Sequence, residues 1–146
     1  MNTSGLISPL RETVKVIGVS DGDTVRVLTA NKENLRVRLS EIDAPESSQA
    51  FGTRSKQALS DICFGKSALI SLDEQDRYGR YVSRLVCQGV DAQSHMVGIG
   101  MAWVYDRYAK DETLYAHQDN ARAERRGLWR DANPTPPWNF RRTKRN

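Results

Sequence analysis

The stretch Asp21-Gly22-Asp23-Thr24 decides the fold, because its Asp-Gly pair lies between two runs of β-branched apolar residues. The runs contain Val14, Val16, Ile17 and Val19 on one side and Val25 and Val27 on the other. Such a pair between such runs is typical of a tight hairpin turn, in which Gly22 is free to take a positive φ. We therefore predict two hairpin strands, 13–19 and 24–28. The same signal also occurs in hairpins without catalytic function, where Asp23 would only cap the turn.

A third strand is predicted over residues 35–39, after the polar turn 30–34. Its apolar residues alternate with arginines, which places Leu35, Val37 and Leu39 on one face and Arg36 and Arg38 on the other. Pro45 ends the segment that follows, since proline cannot continue a strand ladder. Three sequential strands joined by short turns indicate a meander.

The rest of the chain predicts three helices and two further strands. We place the helices at 53–63, 92–99 and 111–126, the strands at 66–72 and 80–87, and a short extended piece at 101–105. The resulting order, β-β-β-α-β-β-α-α, is that of a five-stranded OB-fold Greek-key barrel. The predicted fold class is therefore α+β, mainly β, with three α-helices. OB barrels often bind nucleic acids or oligosaccharides, which is an argument by analogy.

The 146 residues are expected to form one domain, 12–132, between a leader, 1–11, and a proline-rich basic tail, 133–146. The prolines at 134, 136 and 137 predict an extended exit from the domain. The net charge of +4 comes from the tail, whose basic residues are Arg141, Arg142, Lys144 and Arg145. Such a tail suggests an anionic partner, nucleic acid or membrane surface, or only greater solubility.

Cys63 and Cys87 are the two cysteines, and neither belongs to a zinc-binding pattern. They are either two buried thiols or one disulfide, and we favour the disulfide slightly because the function reached below suits export. No apolar run is long enough to span a membrane. The start of the chain lacks the charged and apolar regions of a signal peptide.

Three carboxylates are predicted to meet at one end of the sheet. Asp23 begins the second strand, and Asp43 and Glu46 follow the third, its neighbour. Carboxylates this close repel one another unless a cation neutralises them. Because no histidine or cysteine is near, the ligands would be oxygen atoms, which suit Ca²⁺ and, as its competitor, Mg²⁺. Three solvated loop acids are the alternative.

Two arginines accompany these acids. Arg38 lies on the polar face of the third strand, and Arg80 follows the turn at 76–79. A guanidinium group binds phosphate oxygens in a bidentate fork and remains charged. Beside a cation, the two would stabilise the charge of a phosphodiester in its transition state. Taken singly, each arginine is explained better as a surface charge.

With these residues in place, the chain resembles the staphylococcal nuclease (thermonuclease) family of calcium-dependent, sugar-nonspecific nucleases. The matching motifs run in the family's order from about residue 13 to residue 131. They are Asp21-Gly22-Asp23-Thr24, Val37-Arg38-Leu39, Ile42-Asp43-Ala44-Pro45-Glu46, Asp76-Arg77-Tyr78-Gly79-Arg80, Gly100-Met101-Ala102-Trp103-Val104-Tyr105 and Gly127-Leu128-Trp129.

The resemblance implies a role for each matching residue. Asp23 and Asp43 would bind Ca²⁺ through their side chains, and Ala44, where the family usually has threonine, through its backbone carbonyl. Glu46 would engage the attacking water. The phosphate-binding pair would be Arg38 and Arg80.

Four further positions match less specific features of the family. Asp21 and Thr24 would support the metal indirectly. Tyr78 and Tyr105 correspond to aromatic positions at the nucleotide pocket, although packing at the rim or in the core explains them equally well. The loop 47–52 and the turn 73–76 look shorter than in the staphylococcal enzyme, and the first difference bears on how Glu46 is held. The two cysteines and the basic tail are additions.

The expected function is calcium-dependent hydrolysis of phosphodiester bonds in DNA and RNA, leaving 3′-phosphate products. Single-stranded or frayed substrates are expected, as is a monomer. The alternative is a catalytically weak OB module that binds nucleic acid. A calcium-binding domain with no nucleic-acid partner would leave Arg38 and Arg80 unexplained. A nonspecific nuclease would endanger its own host, which favours a secreted or periplasmic location.

Overall fold

The computed structural model describes residues 9–145, and its first two strands form the expected hairpin. Within the described residues the strands are β1 (Glu12–Asp21), β2 (Thr24–Leu28), β3 (Asn34–Leu39), β4 (Ile42–Asp43), β5 (Ser67–Ile70), β6 (Tyr81–Ser83), β7 (Val86–Cys87), β8 (Val90–Asp91) and β9 (Trp103–Val104). The helices are α1 (Gly52–Cys63), α2 (Ala92–Gly98), α3 (Thr113–Ala123) and α4 (Pro137–Arg145), with a 3₁₀ turn at Gly127–Arg130.

The main sheet has seven strands in the order β6-β3-β2-β1-β5-β7-β8, and β4 pairs with β9 separately. β1, β2 and β3 form the predicted antiparallel meander. The other end of β1 pairs with β5, and β6 runs parallel to β3. This mainly β, α+β architecture is consistent with an OB-type barrel.

The alternation in the first three strands produces the core. Their inward side chains are almost completely buried, and they are Val14, Val16, Val25, Val27, Val37 and Leu39. Residues between them face outward, in keeping with the two-residue period of a strand. The outward side of β3 therefore carries Arg36 and Arg38, and the end of this strand leads to the acids at β4.

The predicted strand 80–87 is wrong as a single element, because it is two strands separated by Arg84 and Leu85. The β6 part pairs with β3 and the β7 part with β5, so the chain crosses between two parts of the sheet. Arg84 is buried at the crossing and donates hydrogen bonds to Asp91 at 2.7 Å and Asp111 at 2.8 Å. These distant partners are not visible in a local apolar pattern.

The prediction of three helices is also incomplete, because the basic tail forms a fourth, α4. Residues 134–136 are irregular as expected, but Pro137 begins a helix, a position where its missing N–H costs nothing. Trp138 then stacks on Tyr105, with parallel rings 5.3 Å apart, and meets Trp103 edge-on at 5.6 Å. This packing is tertiary, so the charged tail sequence does not show it.

The predicted hairpin turn is present, but the positive φ predicted for its glycine is wrong. Gly22 does not take a positive φ. Instead, a Cβ at this position would lie 1.9 Å from Ser55 Oγ and 2.8 Å from Ala44 Cβ. Glycine is therefore required for close packing, and this packing brings Asp23 next to Ala44.

Cys63, the last residue of α1, forms a disulfide with Cys87 of β7. Both cysteines are buried in the core. Of the two alternatives that the sequence left open, buried thiols and a disulfide, the structure has the disulfide, and the bond links α1 to the sheet. Of the predicted leader, residues 1–8 lie outside the described part of the chain. Between residues 9 and 145, no helix is long and apolar enough to cross a membrane.

Reduction of the disulfide is expected to lower the free energy of unfolding by about 3 kcal/mol, since the closed loop then regains freedom in the unfolded chain. The cysteines are 24 residues apart in sequence. Urea denaturation with and without a reductant measures the effect. The Cys63→Ala/Cys87→Ala double variant is the control, because its midpoint should not respond to the reductant. An unchanged wild-type midpoint would contradict the prediction.

Candidate active site

An open cleft of about 940 Å³ collects most of the residues that the sequence singles out. Its lining includes Asp21, Asp23, Arg38, Asp43, Glu46, Tyr78, Arg80 and Tyr105. Thr24 and Ala44 are buried beside it. The cleft forms where the hairpin turn, the end of β3 and the loop after β4 come together.

Asp23 is held by the residues around the hairpin turn. Its Oδ2 atom accepts a hydrogen bond from the Ala44 amide at 2.8 Å, and its Oδ1 atom accepts one from the Thr24 hydroxyl at 3.0 Å. Asp21 accepts a bond from the Asp23 amide at 3.1 Å. Asp21 and Thr24 thus orient the turn and the carboxylate of Asp23.

Asp43 is completely buried and lies between two guanidinium groups. Arg141 Nη2 is 2.7 Å from Asp43 Oδ2, and Arg141 Nη1 is 3.1 Å from Oδ1. Arg38 Nη2 lies 3.4 Å from Asp43 Oδ1 and 3.6 Å from Asp23 Oδ2. Arg38 also donates to the backbone carbonyls of Leu39 and Ile42, which fixes it between the two aspartates.

Glu46 lies on the loop between β4 and α1, with 38% of its side chain exposed. Its Oε2 atom accepts a hydrogen bond from Arg141 Nη1 at 2.8 Å. Its amide donates to Gln49 Oε1 at 3.1 Å. Gly52 packs against its carbonyl so closely that a Cβ there would lie 2.0 Å from the oxygen. The position of Glu46 is therefore set by contacts from both its loop and α4.

Arg80 lines the same cleft but stands apart from the carboxylates of Asp23, Asp43 and Glu46. Its Nε atom donates to Asp76 Oδ2 at 2.8 Å. Asp76 Oδ1 also accepts from the amides of Tyr78 and Arg80, at 2.9 and 3.0 Å. Asp76 thus organises the turn that presents Arg80, a contribution that sequence reasoning missed.

The two tyrosines proposed for the nucleotide pocket have different surroundings. Tyr78 is 59% exposed at the rim, with the guanidinium groups of Arg77 and Arg80 over its ring. Tyr105 is stacked on Trp138 and meets Tyr108 edge-on at 4.9 Å. Tyr105 thus packs α4 in place, whereas Tyr78 is mostly exposed to solvent and contacts two guanidinium groups.

Comparison with known proteins decides the family. The family model described as "Staphylococcal nuclease homologue" matches residues 36–131. An "Uncharacterized endonuclease" of Haemophilus influenzae is 42% identical over 135 residues, which cover 92% of this chain and 76% of that protein. A "Micrococcal nuclease" of Shigella flexneri is 41% identical, over 90% of this chain and 82% of the relative. The chain belongs to the staphylococcal nuclease family. It is therefore a nuclease, a hydrolase of phosphodiester bonds.

Electrostatics in this staphylococcal nuclease homologue is dominated by the burial of its acids. Burial and the nearby charge of Asp23 raise the pKa of Asp21 to about 7. Burial also opposes ionisation of Asp23, but the charge of Arg38 and hydrogen bonds lower the pKa of Asp23 below its usual value. Burial raises the pKa of Asp43, an effect that the hydrogen bond from Arg141 reduces. The buried acids thus depend on positive charge for their ionised state.

The donor chemistry fits a hard divalent cation, because the acids that line the cleft offer only oxygen atoms. Two of them, Asp23 and Asp43, already face positive charge from Arg38. Within residues 9–145 no group of three or more His, Cys, Asp or Glu side chains has the spacing of a metal site. The carboxylates therefore offer donor atoms that suit a cation, while the guanidinium groups of Arg38 and Arg141 contact them in this structure.

Two residues of the site were missed as functional candidates for different reasons. Tyr108 is 53% exposed and lines the cleft. Its position shortly after the apolar segment 101–105 was only a weak indication in the sequence that its side chain reaches the cleft. Arg141 was treated only as one charge of a basic tail. No local pattern relates it to Asp43, which is 98 residues away in sequence.

If Glu46 acts in catalysis as the family resemblance implies, Gly52→Ala is expected to lower kcat on the order of 10²-fold, the effect of displacing a catalytic group by about 1 Å. The added Cβ would collide with the Glu46 carbonyl, 2.0 Å away, and the loop must shift. The measurement is kcat on single-stranded DNA, corrected for the folded fraction by urea denaturation.

Gly98→Ala is the matched control for Gly52→Ala. Gly98 is also a helical glycine, but a Cβ added there meets nothing within 4 Å. Its kcat should equal that of the wild type. Equal kcat values for the Gly52→Ala and Gly98→Ala variants would show that the Glu46 backbone position does not limit the reaction.

Proposed function

We propose that this nuclease is calcium-dependent, acts on both DNA and RNA and leaves 3′-phosphate products. The observation that carries the proposal is the pair of buried carboxylates, Asp23 and Asp43, with Arg38 between them and Glu46 beside them. Such an arrangement combines sites for a cation, a water and a phosphate in one cleft. The relatives named as endonucleases and micrococcal nuclease support a nucleic-acid substrate.

Asp23, Asp43 and the carbonyl of Ala44 are the groups that would hold the cation. Ca²⁺ prefers oxygen ligands, and it would supply Lewis acidity and charge neutralisation at the phosphate. Asp21 and Thr24 support this set from behind, through the bonds to Asp23 described above. The raised pKa of Asp43 fits a carboxylate that gains from a positive ligand.

Glu46 is proposed to orient and deprotonate the attacking water. The water oxygen forms a bond to phosphorus in line with the bond from phosphorus to the 5′ oxygen, which breaks. The water proton passes to the Glu46 carboxylate, and the 5′ oxygen takes up a proton from solvent. Glu46 suits this role because its carboxylate is partly exposed in the cleft, while its backbone is fixed by Gln49 and Gly52.

Arg38 and Arg80 are proposed to stabilise the charge of the phosphate as it becomes pentacovalent. Arg38 lies next to the cation ligands, and Arg80 is presented from the opposite turn by Asp76. Guanidinium groups provide paired donors for phosphate oxygens. The exposed ring of Tyr78 favours single-stranded or frayed substrates, whose bases are free to stack.

The first test is hydrolysis of single-stranded DNA and RNA with added Ca²⁺, with Mg²⁺ and with a chelator. Wild-type protein should cleave both polymers with Ca²⁺ and neither with the chelator. The Glu46→Gln variant should lose on the order of 10²-fold or more in kcat, because glutamine cannot accept the water proton. End-group analysis should find 3′-phosphates. Full activity in the chelator would overturn the metal assignment, and 5′-phosphate products would overturn the choice of leaving group.

Arg80→Ala is expected to lower kcat by about 10²–10³-fold, the effect of removing one donor to a developing charge. Arg77→Ala is the matched control, because Arg77 is adjacent, carries the same charge and also lies over the Tyr78 ring. It should change KM through lost electrostatic attraction and leave kcat nearly unchanged. Equal losses of kcat in both variants would indicate a general charge effect and contradict a specific role for Arg80.

A further inference from the structure

The C-terminal segment contacts the loop that carries Glu46 at three points. Arg141 bonds to Glu46 itself at 2.8 Å. Lys144 Nζ lies 3.2 Å from Ser48 Oγ, and Gln49 Nε2 donates to the carbonyl of Thr135 at 2.6 Å. Residues on this short loop are therefore fixed from outside it, by a part of the chain beyond the region matched by the family model.

Aromatic packing holds the start of α4 in the position from which these polar contacts form. Trp138 lies flat on Tyr105 and edge-on to Trp103, so its ring fits between residues around β9. Phe140 lines a small cavity of about 190 Å³ together with Pro45 and Gln49, at the junction of α4 and the loop. The apolar contacts and the polar contacts of the C-terminal segment thus converge on the same loop.

Arg141 joins the two acids whose relative position matters most. Its planar guanidinium donates to both oxygens of Asp43 and to Oε2 of Glu46. A partly exposed glutamate without such a donor samples several rotamers, and selecting one rotamer costs conformational entropy. Arg141 removes this cost by fixing Glu46 against the completely buried Asp43.

The charge of the cleft allows Arg141 and a cation to be present together. Four of the acids that line the cleft, Asp21, Asp23, Asp43 and Glu46, outnumber the two guanidinium groups that contact Asp23, Asp43 or Glu46, which belong to Arg38 and Arg141. Each carboxylate oxygen has two acceptor positions. Arg141 and Arg38 take both positions on Asp43 Oδ1, at 3.1 and 3.4 Å, whereas Arg141 is the one donor described at Oδ2, which keeps a position there. A divalent cation would reduce the repulsion among these four acids.

We propose that α4 is part of the active site and that Arg141 is a positioning residue, which holds Glu46 against Asp43 in the orientation needed to engage the water. The inference rests on the role proposed above for Glu46. It gives the basic tail a function other than solubility. It also adds a support for the Glu46 carboxylate to the backbone contacts that the loop 47–52 makes through Gln49 and Gly52.

The test compares full-length Arg141→Gln, Arg141→Lys and Arg142→Gln at saturating Ca²⁺ on single-stranded DNA. Arg142 is the matched control, because it is adjacent in α4, exposed, and bonds only to Asn139 among the described contacts. Arg141→Gln should lower kcat by about 10–100-fold with little change in KM, the size found when a supporting partner is removed. Arg141→Lys should recover part of the loss, and Arg142→Gln should match the wild type in kcat.

A double-variant cycle with Glu46→Gln separates positioning from general stabilisation. If Arg141 acts through Glu46, adding Arg141→Gln to Glu46→Gln should cause almost no further loss of kcat, because residues that act as a unit are not additive. Ca²⁺ affinity measured by calorimetry should stay the same or increase, because a positive charge leaves the cleft. Urea denaturation supplies the folded fraction of each variant.

Four outcomes would overturn the inference. An Arg141→Gln variant as fast as the wild type, or faster, would mean that α4 does not support the reaction or covers the site. If the losses of kcat from the two substitutions multiply in the double variant, Arg141 does not act through Glu46. Weaker Ca²⁺ binding by the Arg141→Gln variant would mean that Arg141 supports the cation ligands and not Glu46. A fully active Glu46→Gln variant would remove the proposed role of Glu46, and the positioning role with it, whereas the first three outcomes leave the nuclease mechanism intact.

Discussion

The hydrogen bond from the Ala44 amide to the Asp23 carboxylate is the contact on which the site depends. It joins the hairpin turn to the segment that carries Asp43, 21 residues apart in sequence. The bond forms only because Gly22 allows the turn to approach Ala44 and Ser55 closely. A packing constraint in the turn therefore determines where the acids meet. The sheet then keeps them there, since β2, which begins at Thr24, is hydrogen-bonded to β1 and β3 on its two sides.

Burial makes this cluster of acids chemically unusual and structurally costly. Asp43 is completely buried, and an isolated buried carboxylate would be strongly destabilising. Arg38 offsets this cost from within the sheet, where its own carbonyl contacts fix it. Negative charge that the guanidinium groups do not offset would favour a cation in the cleft, in keeping with the proposed function. The same carboxylates that weaken the fold when unpaired are thus the groups to which the proposed function assigns the cation.

Residues close in sequence were predicted well, and contacts between distant segments were not. The alternation in 13–39 was sufficient for three strands and their meander, and the motifs from Asp21 to Arg80 contain the acids and arginines that the structure brings into one cleft. The break at Arg84 was missed because its partners, Asp91 and Asp111, lie on later elements. Helix α4 was missed because its charged sequence has few apolar residues, and the rings that hold it, Tyr105 and Trp103, are more than 30 residues away.

The two guanidinium groups at Asp43 differ in how permanently they are placed. Arg38 is built into β3 and remains wherever the sheet is folded. Arg141 is present only while α4 is docked, and a helix of nine residues is too short to be stable in water by itself. Its stability must come from Trp138 and from the contacts with Ser48 and Gln49. Under the proposed positioning role, the orientation of the Glu46 carboxylate depends on the tertiary packing of α4 as well as on the contacts within its own loop, so that the C-terminal helix and the hairpin that carries Asp23 belong to one site.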